Sequence, residues 1–159
     1  IDKVLAERAV EGTPVHSMFI CRAAAKLGYA KTAGEFYLSY IVDGKCAHSR
    51  VGRLTPEQAV KTIKECGGIS SVAHPGRISL EKNVKEGLIS RLKALGLDGI
   101  EAVYSGHTVE ETVYYKELAR RYNLLVTGGS DTHSTVGSRR VGTPEFYPDE
   151  QLMRALERF

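Results

Sequence analysis

Cysteine is scarce in this chain of 159 residues, and this scarcity limits the kinds of cysteine-based site that the chain can form. The three cysteines, Cys21, Cys46 and Cys66, are an odd number with no closely spaced pair. That pattern argues against a disulfide framework and against a cysteine-based zinc site. We therefore interpret all three as small packing residues, and we expect a reducing, cytoplasmic setting.

Long apolar runs and strong net charge are also missing. No apolar run approaches the roughly 20 residues that a membrane-spanning helix needs, so we expect no membrane partner. The formal net charge is only +3 and the basic residues are scattered. This balance allows an anionic small molecule or a short nucleic acid as partner without requiring either. Neither a signal peptide nor an initiator methionine is present, and we expect the chain to be a piece of something longer.

The first third of the chain, residues 1–52, has the composition of helices and loops. Apolar residues recur at helical spacing in its later part, and no strand pattern is convincing before residue 47. The helices that we predict span residues 2–9, 16–27 and 32–42. The polar residues that stand out here are His16 and the group Lys45, His48 and Arg50. Isolated polar residues of this kind are more often solvated than ligand-binding.

From residue 53 onward, helices and strands alternate. The predicted helices cover residues 56–66, 84–95 and 109–122, and the predicted strands cover 69–73, 99–104 and 124–127. Strands that alternate with helices of this length indicate a parallel sheet joined by right-handed crossovers, an α/β fold. A loop-like stretch over 134–147 precedes a last helix that begins near residue 149.

Polar residues follow each of the three predicted strands. His74 follows the first strand, His107 the second, and Asp131 with His133 the third. Because the carboxyl ends of parallel strands lie on one side of a sheet, we expect these residues to share a rim. A plainer alternative is that Gly128 and Gly129 end the last strand in a turn and Asp131 caps whatever follows.

The chemistry of these side chains suits a metal ion. Asp131 and His133 are two residues apart, so in extended backbone they would point the same way and could reach one ion together. Imidazole nitrogen and carboxylate oxygen are suitable ligands for zinc, manganese or iron. Arg77, in the loop of His74, could hold a phosphate oxygen. His107 could contact the substrate or be an ordinary surface residue.

Two short motifs carry a family resemblance. Residues 73–77 read Ala-His-Pro-Gly-Arg, residues 129–133 read Gly-Ser-Asp-Thr-His, and the strand at 99–103 lies between them. In these motifs the chain resembles the PHP (polymerase and histidinol phosphatase) family, over about residues 53–140. Its nearest resemblance is to small metal-dependent phosphoesterases that act on nucleotides or short RNA ends.

The resemblance implies a fold and a site. The family fold is a distorted seven-stranded β/α barrel with two or three divalent metal ions (manganese, zinc or iron) at its C-terminal rim. His74, Asp131 and His133 would be metal ligands, and Arg77 would contact phosphate. Residues 1–52 resemble the family's helical insertion domain, and residues 53–159 resemble the C-terminal part of the barrel.

The family's N-terminal ligands, which begin with a His-x-His strand, have no counterpart here. We therefore expect fewer metal ions than in the complete family site. We also expect the barrel to be closed by the missing N-terminal half or by a second copy of the chain.

Two readings of the function follow. In the first, the chain is part of a metal-dependent phosphoesterase that hydrolyses a phosphorylated small molecule or short nucleic acid. Arg77 and His107 are then its catalytic residues, and the chain has little activity alone. In the second, it is a non-catalytic PHP-like binding or assembly module. A histidinol-phosphate phosphatase would keep the chemistry of the first reading and change the substrate.

If the helical part covers the site, Lys45, His48 and Arg50 would add positive charge over the substrate phosphate.

Overall fold

The computed structural model describes residues 17–42, 44–48, 52–132 and 140–158. The chain divides into two compact units, Ile1–Arg53 and Leu54–Phe159. The boundary that we place between residues 52 and 53 stays a prediction. The helix predicted over residues 2–9 lies outside the described residues. Within them, no helix is both long and apolar enough to cross a bilayer.

The first unit is helical where it is described. Helix α1, Ser17–Lys26, buries Cys21 and two alanines on one face. Helix α2, Ala33–Phe36, begins where the Thr32 hydroxyl accepts the Glu35 N–H at 3.0 Å, and it continues as a π-helical turn over Tyr37–Ile41. The two helices predicted here are therefore confirmed over the described residues, although the sequence gave no indication of the π-helical turn.

The second unit is built on a three-stranded parallel sheet in the order β1-β2-β3. Its elements, in chain order, are α3 (Pro56–Glu65), β1 (Ser71–Val72), a 3-10 turn (Pro75–Arg77), α4 (Lys82–Ala94), β2 (Gly99–Tyr104), α5 (Val109–Arg121), β3 (Leu125–Gly129) and α6 (Glu150–Leu156). This alternation, with its parallel pairing, confirms the predicted α/β fold class.

Local capping determines where two of these helices begin. The Thr55 hydroxyl accepts the Gln58 N–H at 3.2 Å, and the Gln58 side chain accepts the Thr55 N–H at 2.8 Å. Thr108 and Glu111 make the same reciprocal pair at the start of α5. Each capping box satisfies backbone donors that a helix would otherwise leave unpaired. Both follow the sequence pattern of a threonine with glutamine or glutamate three residues later.

The core of this unit lies between β2 and the helices that flank it. Ile100 and Ala102 of β2 are fully buried, and Ile89 of α4 and Leu118 of α5 pack in the same cluster. Burial of one such aliphatic side chain contributes about 1.5–3 kcal/mol, so this apolar layer holds both helices on the sheet. The central strand is thereby fixed in position, together with the residues that follow it.

Two strands differ from their predicted extents. Strand β1 is shorter than the predicted 69–73: only Ser71 and Val72 pair with β2, and the backbone turns to a left-handed φ of 32° at His74. Strand β3 continues through Gly128 and Gly129, which pair with Val103 and Tyr104. The prediction that these glycines end the strand was therefore wrong. A β-carbon at Gly128 would lie 2.5 Å from the ring of Phe146, which explains why this strand position has no side chain.

The cysteines divide into two groups. Cys21 is fully buried in α1, as expected of a packing residue. Cys46 and Cys66 are exposed, so the packing interpretation was wrong for both. Cys66 directly follows the last residue of α3, where a side chain faces solvent rather than the sheet.

The entry to β2 is fixed by the carboxylate of Asp98. Its Oδ2 accepts the backbone N–H of Ser70 at 2.9 Å and the Ser70 hydroxyl at 3.1 Å, and Ser70 is buried. Asp98→Ala leaves both donors without this acceptor. We expect the free energy of unfolding, measured by urea denaturation, to fall by about 2 kcal/mol. Asp98→Asn, which keeps an acceptor oxygen, is expected to lose less; equal losses in the two variants would contradict this account.

Candidate functional site

The carboxyl ends of the three strands lie along one edge of the sheet, since the strands are parallel. His74 lies just beyond β1, Tyr104 is the last residue of β2, and Asp131 lies just beyond β3. The short 3-10 turn after His74 carries Arg77. The topology therefore gathers residues that are far apart in sequence at a single edge.

Tyr104 connects two of these residues. Its hydroxyl donates to Asp131 Oδ2 at 3.1 Å, and Arg77 Nη1 lies 3.6 Å from the same carboxylate oxygen. Arg77 Nη1 also donates to the Tyr104 hydroxyl at 3.5 Å. The Arg77 side chain is 60% exposed, whereas that of Asp131 is 16% exposed. The Arg77 guanidinium is therefore accessible to a ligand from solvent, whereas the Asp131 carboxylate is mostly buried and accepts the Tyr104 hydroxyl.

His74 is held mainly through its backbone. Its N–H donates to Glu101 Oε2 at 2.5 Å, and Glu101 belongs to the central strand β2. The His74 ring packs against that of Tyr104, with 5.6 Å between the ring centroids. Glu101 was not among the site residues predicted from the sequence. The available signal was a carboxylate in the middle of a strand whose neighbours, Ile100 and Ala102, are apolar.

The structure gives both ring nitrogens of His107 a backbone partner. Nε2 accepts the Gly76 N–H at 3.1 Å, and Nδ1 lies 3.1 Å from the carbonyl oxygen of Ala102. An imidazole that accepts at Nε2 and faces a carbonyl at Nδ1 is the neutral form with its proton on Nδ1. The ring also packs between those of Tyr104 and Tyr115, at centroid distances of 5.0 and 4.9 Å. His107 thus ties the Arg77 loop to strand β2.

The joint orientation predicted for Asp131 and His133 stays a prediction. It assumed extended backbone, and Asp131 itself has a left-handed φ of 53°. His133 lies outside the described residues. Within the described ranges, no group of three or more histidine, cysteine, aspartate or glutamate side chains is arranged to hold a metal ion. The metal site stays a prediction.

The polar residues singled out in the first unit have a mixed outcome. His48 Nδ1 lies 3.1 Å from the Ile41 carbonyl oxygen, so its ring bonds to the end of the π-helical turn. Lys45 is exposed. His16 and Arg50 lie outside the described residues. Their suggested role over a substrate phosphate stays a prediction.

Comparison with known proteins extends this picture. No family model matches the chain. The chain is 31% identical over 136 residues to a phosphoribosyl 1,2-cyclic phosphate 1,2-diphosphodiesterase from Eggerthella lenta, covering 82% of this chain and 50% of the relative. It is 31% identical over 133 residues to a 3',5'-nucleoside bisphosphate phosphatase from Chromobacterium violaceum, covering 82% and 47%. It is also 27% identical over 128 residues to the 5'-3' exoribonuclease Rnm of Escherichia coli, covering 80% and 44%.

Solved structures show the same relationship. A protein described as a metal-dependent phosphoesterase from Bifidobacterium adolescentis matches 96% of this chain and 54% of its own, with a TM-score of 0.77 and 25% identity. An amidohydrolase from Chromobacterium violaceum, solved with bound sulfate and no metal, matches 98% and 59%, with a TM-score of 0.72 and 25% identity.

The chain spans about half the length of the curated relatives that it matches. It is related in sequence and fold to phosphoesterases, one of whose solved members is described as metal-dependent.

Proposed function

We propose that the chain belongs to the PHP family and forms part of a metal-dependent phosphoesterase. The observation that carries this proposal is the cluster of Arg77, Tyr104 and Asp131 at the carboxyl edge of a parallel sheet, with His74 beside it. A carboxylate, an imidazole and an exposed guanidinium are the groups that a metal ion and a phosphate ester need from a protein. The phosphate-ester substrates of the relatives support the same reaction class.

His74 and Asp131, with His133 as a third member, would hold the metal. Their donor atoms, imidazole nitrogen and carboxylate oxygen, are ordinary ligands for zinc, manganese and iron. A bound divalent ion supplies Lewis acidity toward a phosphoryl oxygen. Because Arg77 Nη1 lies 3.6 Å from Asp131 Oδ2 in this structure, ion binding at Asp131 would leave the guanidinium available to a phosphate.

The other residues of the site have supporting roles. Arg77 binds phosphate oxygens, and guanidinium geometry favours two parallel hydrogen bonds to them. The Tyr104 hydroxyl orients the Asp131 carboxylate. His107, predicted as catalytic, is better described as a positioning residue, because both of its nitrogens bind backbone atoms. It fixes the loop that carries His74 and Arg77.

The substrate class is a phosphorylated small molecule or a short nucleic acid. One relative is named for a cyclic phosphate diester, another for a nucleoside bisphosphate, and a third for RNA degraded from its 5' end. A phosphate group joined to a ribose is common to these substrates. We propose a ribose phosphate ester as the substrate of the complete protein, with the present chain supplying only part of the ligand set.

Metal binding tests this proposal directly. The purified chain, equilibrated with manganese or zinc and then dialysed, is expected to retain about one ion, measured by plasma mass spectrometry, and to lose it to a chelator. Phosphate release from adenosine 3',5'-bisphosphate is expected to be low and to depend on the added metal. No retained metal and no metal-dependent hydrolysis would together favour the non-catalytic module instead.

A further inference from the structure

The carboxylate of Glu101 lies on the face of the sheet opposite the core helices. Its neighbours in β2, Ile100 and Ala102, are fully buried in the apolar cluster against α4 and α5. Because successive side chains of a strand point to opposite faces, Glu101 points to the other face. Thr127 of β3 pairs with Glu101, and its hydroxyl lies 2.9 Å from that of Ser71 in β1. This face of the sheet therefore carries polar side chains, with the carboxylate on the central strand.

The group that this carboxylate holds is the backbone N–H of His74. The N–H donates to Glu101 Oε2 at 2.5 Å, although the two residues are 27 apart in sequence. The carbonyl oxygen of His74 accepts the Arg77 N–H at 2.9 Å, a bond within the 3-10 turn. The local bond shapes the turn, whereas the bond to Glu101 ties the turn to the central strand. A hydrogen bond to an ionised carboxylate is stronger than one between neutral groups, so this tie is a firm one.

The backbone at His74 needs such a tie. It has a left-handed conformation, with φ of 32° and ψ of 58°. The next residue is Pro75, and a proline normally directs the residue before it to extended backbone. A conformation that is unfavourable for both reasons persists only where the surrounding structure imposes it. Since the direction of a side chain follows from its backbone, the same tie sets where the His74 imidazole lies, which is beside the ring of Tyr104.

Gly129 leaves room for this contact. It is the last residue of β3 and pairs with Tyr104 of β2. A β-carbon at Gly129 would lie 3.0 Å from Glu101 Oε1, closer than a β-carbon normally approaches an oxygen. A side chain there would press on the carboxylate whose other oxygen holds His74. The ends of all three strands therefore meet at Glu101.

We propose that Glu101 is the positioning residue for His74: its carboxylate holds the His74 N–H and thereby presents the imidazole at the carboxyl edge of the sheet. This inference rests on the proposed function in one respect, that His74 is a metal ligand. Loss of a residue that holds a metal ligand in place lowers metal affinity by about 10- to 100-fold. The contact itself involves no metal, so it can be measured in the metal-free chain.

The first test is nuclear magnetic resonance of the metal-free, isotope-labelled chain. In Glu101→Ala, the His74 amide proton is expected to exchange with solvent at least about tenfold faster, the effect of one lost charged hydrogen bond. The nuclear Overhauser contact between the His74 and Tyr104 rings is expected to disappear. Glu101→Gln keeps an acceptor oxygen and should retain the ring contact. Thr127→Val is the matched control, because it removes only the bond to Ser71 and should leave both His74 signals unchanged.

Gly129→Ala perturbs the same contact from the other side and keeps the test open should Glu101→Ala fail to fold. We expect a smaller increase in His74 amide exchange, because the added methyl group displaces the carboxylate without removing it. Combined with Glu101→Ala, it should add no further increase, since it acts through that carboxylate. Additive increases, or unchanged His74 exchange and ring contact in Glu101→Ala, would overturn the proposal.

Metal affinity then separates positioning from general stability. Glu101→Ala is expected to lower the affinity for manganese by about 10- to 100-fold, with Glu101→Gln between it and the unmodified chain and Thr127→Val unchanged. Equal losses in all three variants would reflect general destabilisation and would contradict a positioning role. If the unmodified chain retains no metal, the proposed metal site fails, and the exchange and ring-contact measurements on His74 still decide for or against Glu101.

Discussion

Asp131→Asn is expected to lower the affinity of the chain for manganese or zinc by at least about 100-fold. Loss of a residue that only hydrogen-bonds to a metal ligand costs up to about 100-fold, and loss of a ligand itself should cost no less. The substitution keeps an oxygen that can accept the Tyr104 hydroxyl, now at 3.1 Å from Asp131 Oδ2, and removes only the negative charge. A neutral amide is a poor ligand for these ions, whose affinity depends on deprotonated donors. Equilibrium dialysis with metal analysis measures the change.

The same variant should have an opposite effect on the metal-free chain. Asp131 is the carboxylate that lies 3.6 Å from Arg77 Nη1, so its neutralisation removes one competitor for the guanidinium. We expect phosphate binding at residues 74–77 to strengthen slightly, since an exposed ion pair is worth about 0–1 kcal/mol. Asp149→Asn is the matched control, because Asp149 caps α6 and asparagine caps a helix equally well. Unchanged metal affinity in Asp131→Asn would remove Asp131 from the ligand set.

Gly76→Ala is expected to destabilise the second unit by about 1–3 kcal/mol, the usual cost of a side chain forced into filled space. A β-carbon at this position would lie 2.6 Å from Cδ2 and 2.8 Å from Nε2 of His107, and 3.1 Å from Glu111 Oε1. The imidazole has little freedom to retreat, because Nδ1 bonds to the Ala102 carbonyl and tyrosine rings pack on both sides. The loop must therefore move, and it takes His74 and Arg77 with it.

Urea denaturation and metal binding together check this prediction. Gly87→Ala is the matched control: Gly87 lies inside α4, a β-carbon there meets nothing within 4 Å, and alanine should stabilise the helix by about 1 kcal/mol. In the double variant Gly76→Ala with His107→Ala, the losses should not add, since the clash disappears with the ring. Additive losses would show that the two residues do not meet in the way the structure describes.

The sequence predicted those features whose causes are local. Thr55 and Thr108 cap the starts of their helices together with partners three residues away. The alternation of strands and helices along the chain predicted the parallel sheet. His74, Arg77 and Asp131 were placed on one rim because topology alone brings strand ends together. These inferences need only neighbouring residues and the general rules of parallel sheets.

The missed features depend on distant partners. Glu101 and Tyr104 resemble ordinary strand residues until the chain brings His74 and Asp131 beside them, each 27 residues away. Lys85 resembles a solvated helix residue until Tyr115 covers it, 30 residues further on. The orientation of the His107 ring likewise depends on where Gly76 comes to lie. Periodicity cannot reveal such contacts, because they belong to no single element.

Two of the proposed ligands have a backbone conformation that suits them poorly. His74 has a φ of 32° and Asp131 a φ of 53°, and residues with side chains adopt this left-handed region at a cost of order 1–3 kcal/mol. Glycine would relieve that strain at either position. Selection of variants for thermal stability alone should therefore enrich His74→Gly and Asp131→Gly. Laboratory evolution for a more stable fold would thus replace the proposed metal ligands early.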